Sequence, residues 1–274
     1  MAKQKIAAKK NAVRILNCIP SRKPETDWLV HNAAEAGLMN LAAAIPASKD
    51  LREDAWWGIG DQGATGSCVG WASADSVLRW HFVKANRLSK SQKLSVRFVW
   101  MASKETDAYI SQPTTFIEVA GTSLKAALDI ARKFGCVAED VLPFGSGKLY
   151  PLDPATFYAI AAQRKISSYV SLRPVMGMTQ IALWRMWIAT KGPVLTRLDV
   201  DATWDNARNT QGNMDVYQPA TTRGGHAVAL VGYTPDRFIV RNSWGTTQWG
   251  DKGYGYASLA YAQAAFTESY GVNL

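Results

Sequence analysis

The sequence predicts an α+β fold of two halves, helical first and β-rich second, with a cleft between them. Three observations carry this. Apolar residues recur at helical spacing between Cys68 and about Phe134, short strand-like segments parted by Gly, Asn, Asp and Pro follow from Lys165, and no Pro- or Ser-rich linker or internal repeat divides the 274 residues. A chain of this length buries roughly three-quarters of its extended surface, so its core needs neither disulfides nor metal to hold it.

The basic leader comes first. Lys3, Lys5, Lys9, Lys10, Arg14, Arg22 and Lys23 all precede the first acidic residue, Glu25, and they account for most of the net charge of +9. Such a segment is expected to be a solvated, partly disordered tail, with nucleic acid or anionic membrane as its sharper alternative partners. No apolar stretch of signal-peptide length follows the basic start, and the best apolar windows, 37–45 and 181–195, are short or broken by Asn40, Arg185 and Lys191. Cys18, Cys68 and Cys136 are too few and too scattered for a disulfide framework. A soluble, cytoplasmic chain in a reducing compartment is the expectation.

In the helical half, Ser67 is placed to cap a helix carrying Trp71, Val77, Leu78, Trp80 and Phe82, and Ser123 to cap another with Leu124, Ala127, Leu128 and Ala131. Asp153-Pro154 opens a further short helix. In the second half a Trp-rich amphipathic helix over 178–189 precedes strands over 193–199, 226–234, 237–243 and 254–257. Trp80, Trp184 and Trp187 sit at helical spacing and read as core, whereas Trp56-Trp57 fit no pattern.

Chemistry gathers at three places. In Asp61-Gln-Gly-Ala-Thr-Gly-Ser-Cys68-Val-Gly a glycine-rich loop ends in a cysteine at a helix start, where free N–H groups and the helix dipole lower a thiol's pKa. Of the three histidines, His81 lies 13 residues along the same helix, about 20 Å away at 1.5 Å per residue, and reads as surface or core-edge. His31 sits in the leader without a pattern around it. His226 heads an apolar strand after Gly224-Gly225, the position of a residue facing a cleft. Asn242, at the end of an adjoining strand, suits the role of orienting that imidazole, Trp244 can shield the bond, and Gln62 can donate to an oxyanion together with the Cys68 N–H. No Cys-x-x-Cys, His-Glu-x-x-His or helically spaced His pair suggests a metal.

Gln62 with Gly-Ser-Cys68, then Gly-His226-Ala-Val, then Arg-Asn242-Ser-Trp244-Gly together resemble the papain-like (C1) cysteine peptidases, in family order. His226 follows Cys68 by 158 residues and Asn242 follows by a further 16, near the family spacing. The resemblance implies a two-lobed fold, a helical lobe and an antiparallel β-barrel-like lobe. It also implies hydrolysis of peptide or protein substrates through a Cys68–His226 pair and a thioester, with no cofactor. It divides the chain into a leader or short pro-like segment, 1–44, and a peptidase domain, 45–274, with the helical lobe near 57–164 and the β lobe near 165–274 plus 45–56. Substrate is expected to touch Gly66, Gly121, Ala227 and Trp244, the Gly121 stretch resembling the lining of the non-primed subsites. Three departures stand out. Thr65 replaces a cysteine that often pairs within the helical lobe, as in a prokaryote-like variant without the usual disulfides; Val69 replaces an aromatic after the nucleophile; and Gly225 replaces the frequent Asp or Asn before the histidine.

Two alternatives follow from the same residues. Gly66-Ser-Cys68-Val-Gly70 also matches a nucleophile elbow, with Asp199 or Asp201 and His226 completing the order of an α/β-hydrolase-type thiol esterase, although no buried strand precedes it. A silent or latent papain-like module that only binds peptides is the other, and a cleft closed by residues 1–44 would give that appearance.

Overall fold

In chain order the first half contributes α1 (Val30–Glu35), a two-residue strand β1 (Lys49–Asp50), and a long helix α2 built of Cys68–Gly70, a π-wound stretch Trp71–Leu78 and Arg79–Lys84. Helices α3 (Val96–Ala108), α4 (Leu124–Lys133) and α5 (Pro154–Ala162) follow. The second half holds β2 (Ser168–Ser171), α6 (Gln180–Thr190), β3 (Val194–Val200), α7 (Ala202–Asp205), β4 (Asn213–Met214), β5 (Gly224–Tyr233), β6 (Arg237–Arg241), β7 (Tyr254–Ser258), α8 (Leu259–Ala265) and β8 (Phe266–Asn273). This computed structural model describes residues 14–108, 121–146, 153–175 and 177–274.

Local chemistry sets the helix starts. The side chains of Ser123, Asp153, Thr179 and Ser258 each accept the N–H three residues on, at 3.0–3.2 Å, and begin α4, α5, α6 and α8. Ser67 differs. Its hydroxyl pairs with Thr65 Oγ1 at 2.6 Å and makes no cap bond, so the first turn of α2 begins at Cys68 without a side chain over its N–H groups.

The strands form one eight-stranded sheet in the order β2-β8-β3-β5-β6-β7-β4, with β1 also pairing with β5. Every pairing is antiparallel except the short β4–β7 contact. Among the described residues the sheet stays open: β2 and β4 end the strand order without pairing to each other, so these strands do not close into a barrel. Its central strand, β5, is buried from His226 onward, which is why it reads as a continuous apolar run and not an alternation. The register sets Leu198 opposite His226, Asp199 opposite Gly225 and Arg241 opposite Ala229, bringing His226 beside the strand that leads into Asn242.

Trp184 and Trp187 are core residues as expected; Trp184 donates to Ser269 Oγ at 2.8 Å and packs edge-on to Phe238 and Phe266. Trp56 and Trp57, unaccounted for by pattern, stack 5.9 Å apart beneath two guanidinium groups. Arg79 lies over Trp56 and Arg241 over Trp57, and both arginines pair with Asp75, at 3.5 and 2.8 Å. Trp57 Nε1 donates to the Asp75 carbonyl at 3.0 Å and Arg241 donates to Gly58 O at 2.7 Å. All three charged side chains are buried, so this network joins α2 to β6 directly behind the site.

Two expectations are corrected here. His81 is not at the surface: it is buried against Trp80, and burial first, then the nearby Lys191 charge, lowers its pKa to about 4. The leader is not a solvated tail over residues 14–44. Val30 and Ala33 of α1 are fully buried, Ser171 N–H donates to Trp28 O at 2.8 Å, and Asp27 accepts from Tyr270 at 2.8 Å while pairing with Lys125. The apolar residues that anchor it, Leu16, Cys18, Val30, Ala33 and Met39, come as isolated residues or single pairs, too few in any window for a period to stand out. Lys3, Lys5, Lys9 and Lys10 lie outside the described residues.

Candidate active site

Cys68 stands at the first residue of α2 and is fully buried. His226 enters from β5 and Asn242 from the end of β6. Their bond is direct, His226 Nε2 to Asn242 Oδ1 at 2.8 Å. The same Oδ1 accepts the Ser243 N–H at 2.8 Å, which fixes the amide orientation and requires the imidazole proton on Nε2. The basic nitrogen, Nδ1, is then left buried and without a hydrogen-bond partner. Gln62 is tied to the same turn: its N–H donates to Ser243 O at 2.8 Å, its Oε1 accepts from Ser243 Oγ at 3.0 Å, and its Nε2 donates to Thr65 O at 2.9 Å, which leaves that nitrogen's second N–H for the cleft.

Indoles enclose the imidazole. Trp244 lies tilted against it with ring centres 5.0 Å apart, and Trp204 meets it edge-on at 5.7 Å. Trp249 backs Trp204 at 4.4 Å and donates to its carbonyl. Trp244 was foreseen as a shield; Trp204 and Trp249 were not. Trp204 is placed by Asp201, whose carboxylate caps α7 at the Trp204 N–H (3.1 Å) and also takes Tyr261 OH and Gln218 N–H. Asp201 is therefore fully engaged away from His226, and Asp199 pairs with Arg197 at 2.9 Å. Neither is the histidine's partner, and Cys68 follows a loop and not a strand, so the esterase arrangement has no support in the geometry.

The cleft between α2 and β5 is filled by the chain's own leader. Ile15 O accepts from Gln62 Nε2 at 3.3 Å. Asn17 packs over Gly66 and its carbonyl accepts the Thr122 N–H at 3.2 Å; Ile19 N–H returns to Thr122 O at 3.1 Å, making a parallel bridge. On the other wall Cys18 N–H donates to Gly225 O at 3.2 Å, and Cys18 O accepts from Arg197 Nε at 3.1 Å. Gly225 is required for this: a Cβ there would collide with both Cys18 O and the Arg197 guanidinium. Further on, Ser21 N–H donates to Glu268 at 2.9 Å. The strand thus lies on Gly66, Gly121 and Trp244, three of the four residues expected to touch substrate, and its Asn17 N–H reaches the sulfur of Cys68, as does that of the fourth, Ala227.

Burial dominates the electrostatics. It pushes the Cys68 thiol up, against the Ala227 and Asn17 N–H groups that face the sulfur. It lowers His226 to about 4, opposed by the Asn242 bond and reinforced by the charges of Arg223 and Arg14. Both shifts favour the uncharged forms of the pair, and the direction for Cys68 is opposite to the lowering that the helix start suggests. Among the described residues no cluster of His, Cys, Asp and Glu is arranged to hold a metal ion.

The description "Papain family cysteine protease" matches residues 45–269. The chain belongs to the papain family of cysteine proteases. Its fold is similar to that of xylellain, a cysteine protease from Xylella fastidiosa, with a TM-score of 0.70 at 21% identity over 94% of this chain and 95% of that one. It is likewise similar to digestive procathepsin L2 proteinase from Tenebrio molitor larval midgut (TM-score 0.70, 23% identity, 94% and 78% covered) and to procathepsin B S9 from Trypanosoma congolense (0.66, 15%, 95% and 86%). Among curated proteins no sequence matches. This papain-family member is a hydrolase with its three cysteines all free, and no helix of the described residues is long and apolar enough to cross a membrane. The cleft-filling strand, 14–21, lies before the matched residues.

Proposed function

We propose that this chain hydrolyses peptide bonds with Cys68 as nucleophile and His226 as base and then acid, and that residues 14–21 hold it latent. One observation carries the reading: an amide carbonyl, that of Ile15, already sits on the Gln62 amide beside the His226–Asn242 pair, where an oxyanion donor is needed. In the reaction the Cys68 proton passes to His226 Nδ1 as sulfur bonds to the substrate carbonyl carbon. Gln62 Nε2–H and the Cys68 N–H hold the resulting oxyanion, and Asn242 keeps the imidazolium oriented. His226 then protonates the amine as the C–N bond breaks, leaving a thioester. Water, deprotonated by His226, attacks that thioester and the thiol recovers its proton.

The leader strand supports latency in two ways. It lays the Asn17 N–H against the Cys68 sulfur, so a substrate cannot approach from that side. It also excludes water, which keeps thiol and imidazole uncharged. Three free thiols suit a reducing, cytoplasmic setting.

The test is alkylation of Cys68 from about pH 4 to 9, read by mass on its own peptide, in the full chain. Wild type is expected to react slowly below pH 8. Arg14→Ala, which unpins the strand, should react faster and show acid-side reactivity that is lost when His226→Ala is added. Peptide cleavage should vanish in Cys68→Ala, and a Cys68→Ala chain that still cleaves peptides overturns the reading.

A further inference from the structure

The end of the leader strand at Arg14 occupies a pocket that the catalytic group does not use. Four acceptors converge on this one guanidinium: Asp61 Oδ1 and Gly63 O, each 2.7 Å from Nη1, and Trp244 O and Gln248 Oε1, each 3.4 Å from Nη2. The Arg14 side chain is 11% exposed although Asp61 is 48% exposed, so the guanidinium is enclosed while the carboxylate rims the opening. Asp61 is held in place before any cation arrives. Its Oδ1 accepts the Gly63 N–H at 2.9 Å, its backbone bridges to Trp244, and Gly245, at φ +70°, leaves room for its Oδ2. Arg223 Nη1 meets the Arg14 carbonyl at 3.3 Å and so grips the main chain at this point. A fork of five N–H donors fits such a set of acceptors better than a neutral side chain can, because each carbonyl would otherwise face an apolar group.

The pocket's position gives it meaning. The strand crosses Cys68 between this end and the Gly121–Thr122 end, and the Gly121 stretch is the one expected to line the non-primed side. The Arg14 end then lies on the side of the departing amine. We propose that the Asp61, Gly63, Trp244 and Gln248 pocket is a subsite for a basic substrate side chain, Arg before Lys, within the first residues after the scissile bond, and that Arg14 fills it in the latent chain. This rests on the peptidase reading given above.

The test uses full-length chain with Arg14→Ala, and the same chain with Asp61→Asn added. Internally quenched peptides differ only in carrying Arg, Lys, Ala or Glu at each of the three positions after the cut. At one position Arg and Lys peptides should exceed the Ala peptide about 10-fold in kcat/KM, as for one charge-assisted pair, with Glu lowest. In the double variant the Arg-to-Ala ratio should fall to about twofold or less, and Asp61→Lys should favour Glu. An Arg-to-Ala ratio near one at all three positions, or a preference that Asp61→Asn leaves intact, overturns the subsite while the peptidase stands. If no peptide is cut, the peptidase reading fails and binding decides the pocket. N-acetyl-arginine amide, titrated calorimetrically, should bind Arg14→Ala at least about fivefold more tightly than it binds wild type or the Asp61→Asn double variant; equal binding to all three overturns the pocket on its own.

Discussion

His226 is an imidazole whose pKa burial lowers: the indoles of Trp204 and Trp244 pack against it, and the Asn242 carbonyl first, then the Asp205 charge, favour its charged form. Asn242→Ala should therefore lower the His226 pKa further and free the ring, cutting kcat/KM by roughly 10- to 100-fold in an unlatched Arg14→Ala background. The pH profile of Cys68 alkylation checks it, since a merely looser fold would not move the acid limb. Cys68, Gln62, His226 and Asn242 were legible as a candidate site because each sits where residue type and neighbours agree: a cysteine after glycines at a helix start, a histidine heading an apolar strand, an asparagine ending the next. Trp204 was not legible, since its place depends on Asp201 meeting Tyr261 from 60 residues away. Arg14 and Asp61 were read as leader charge and loop, because nothing local says that a residue 47 positions upstream returns to the loop.

Among the elements, α2, which carries Cys68, and β6, which leads into Asn242, are tied together by the Asp75, Arg79 and Arg241 network. Asp75→Ala leaves two buried guanidiniums without a carboxylate and should cost about 3–5 kcal/mol in urea unfolding; Asp75→Asn, which keeps the shape and part of the hydrogen bonding, should cost less. Helices α2, α4, α5 and α6 and strands β3, β5, β6 and β7 were legible from capping residues and period. β8 and β2 were not, since Phe266–Asn273 and Ser168–Ser171 do not alternate strictly between more and less buried positions. Gly225, which replaces the Asp or Asn frequent before the histidine, is the place where the leader strand and Arg197 approach β5. Gly225→Ala should push the strand out and speed Cys68 alkylation at pH 6, with intact mass confirming that the leader is still attached.

At the scale of the whole molecule, two histidines share one fate in different places. His81 and His226 both titrate near 4 when folded against 6.5 ordinarily. As pH falls through 6.5 the unfolded chain takes up these protons first, so stability is full above about 6.5 and declines toward pH 4, by on the order of 3 kcal/mol for each histidine. Urea midpoints at pH 7 and 4.5 should show the decline, and His81→Gln should remove about half of it while leaving the His226 share.

The leader is bound to its own cleft through α1, β2 and β8 on the same chain, so the blocking strand is present at a fixed local concentration set by the tether and not by how much protein is in solution. Opening is accordingly a unimolecular event. A progress curve started from latent protein should have a lag whose duration is the same at nanomolar and micromolar enzyme, and dilution alone should never switch the molecule on.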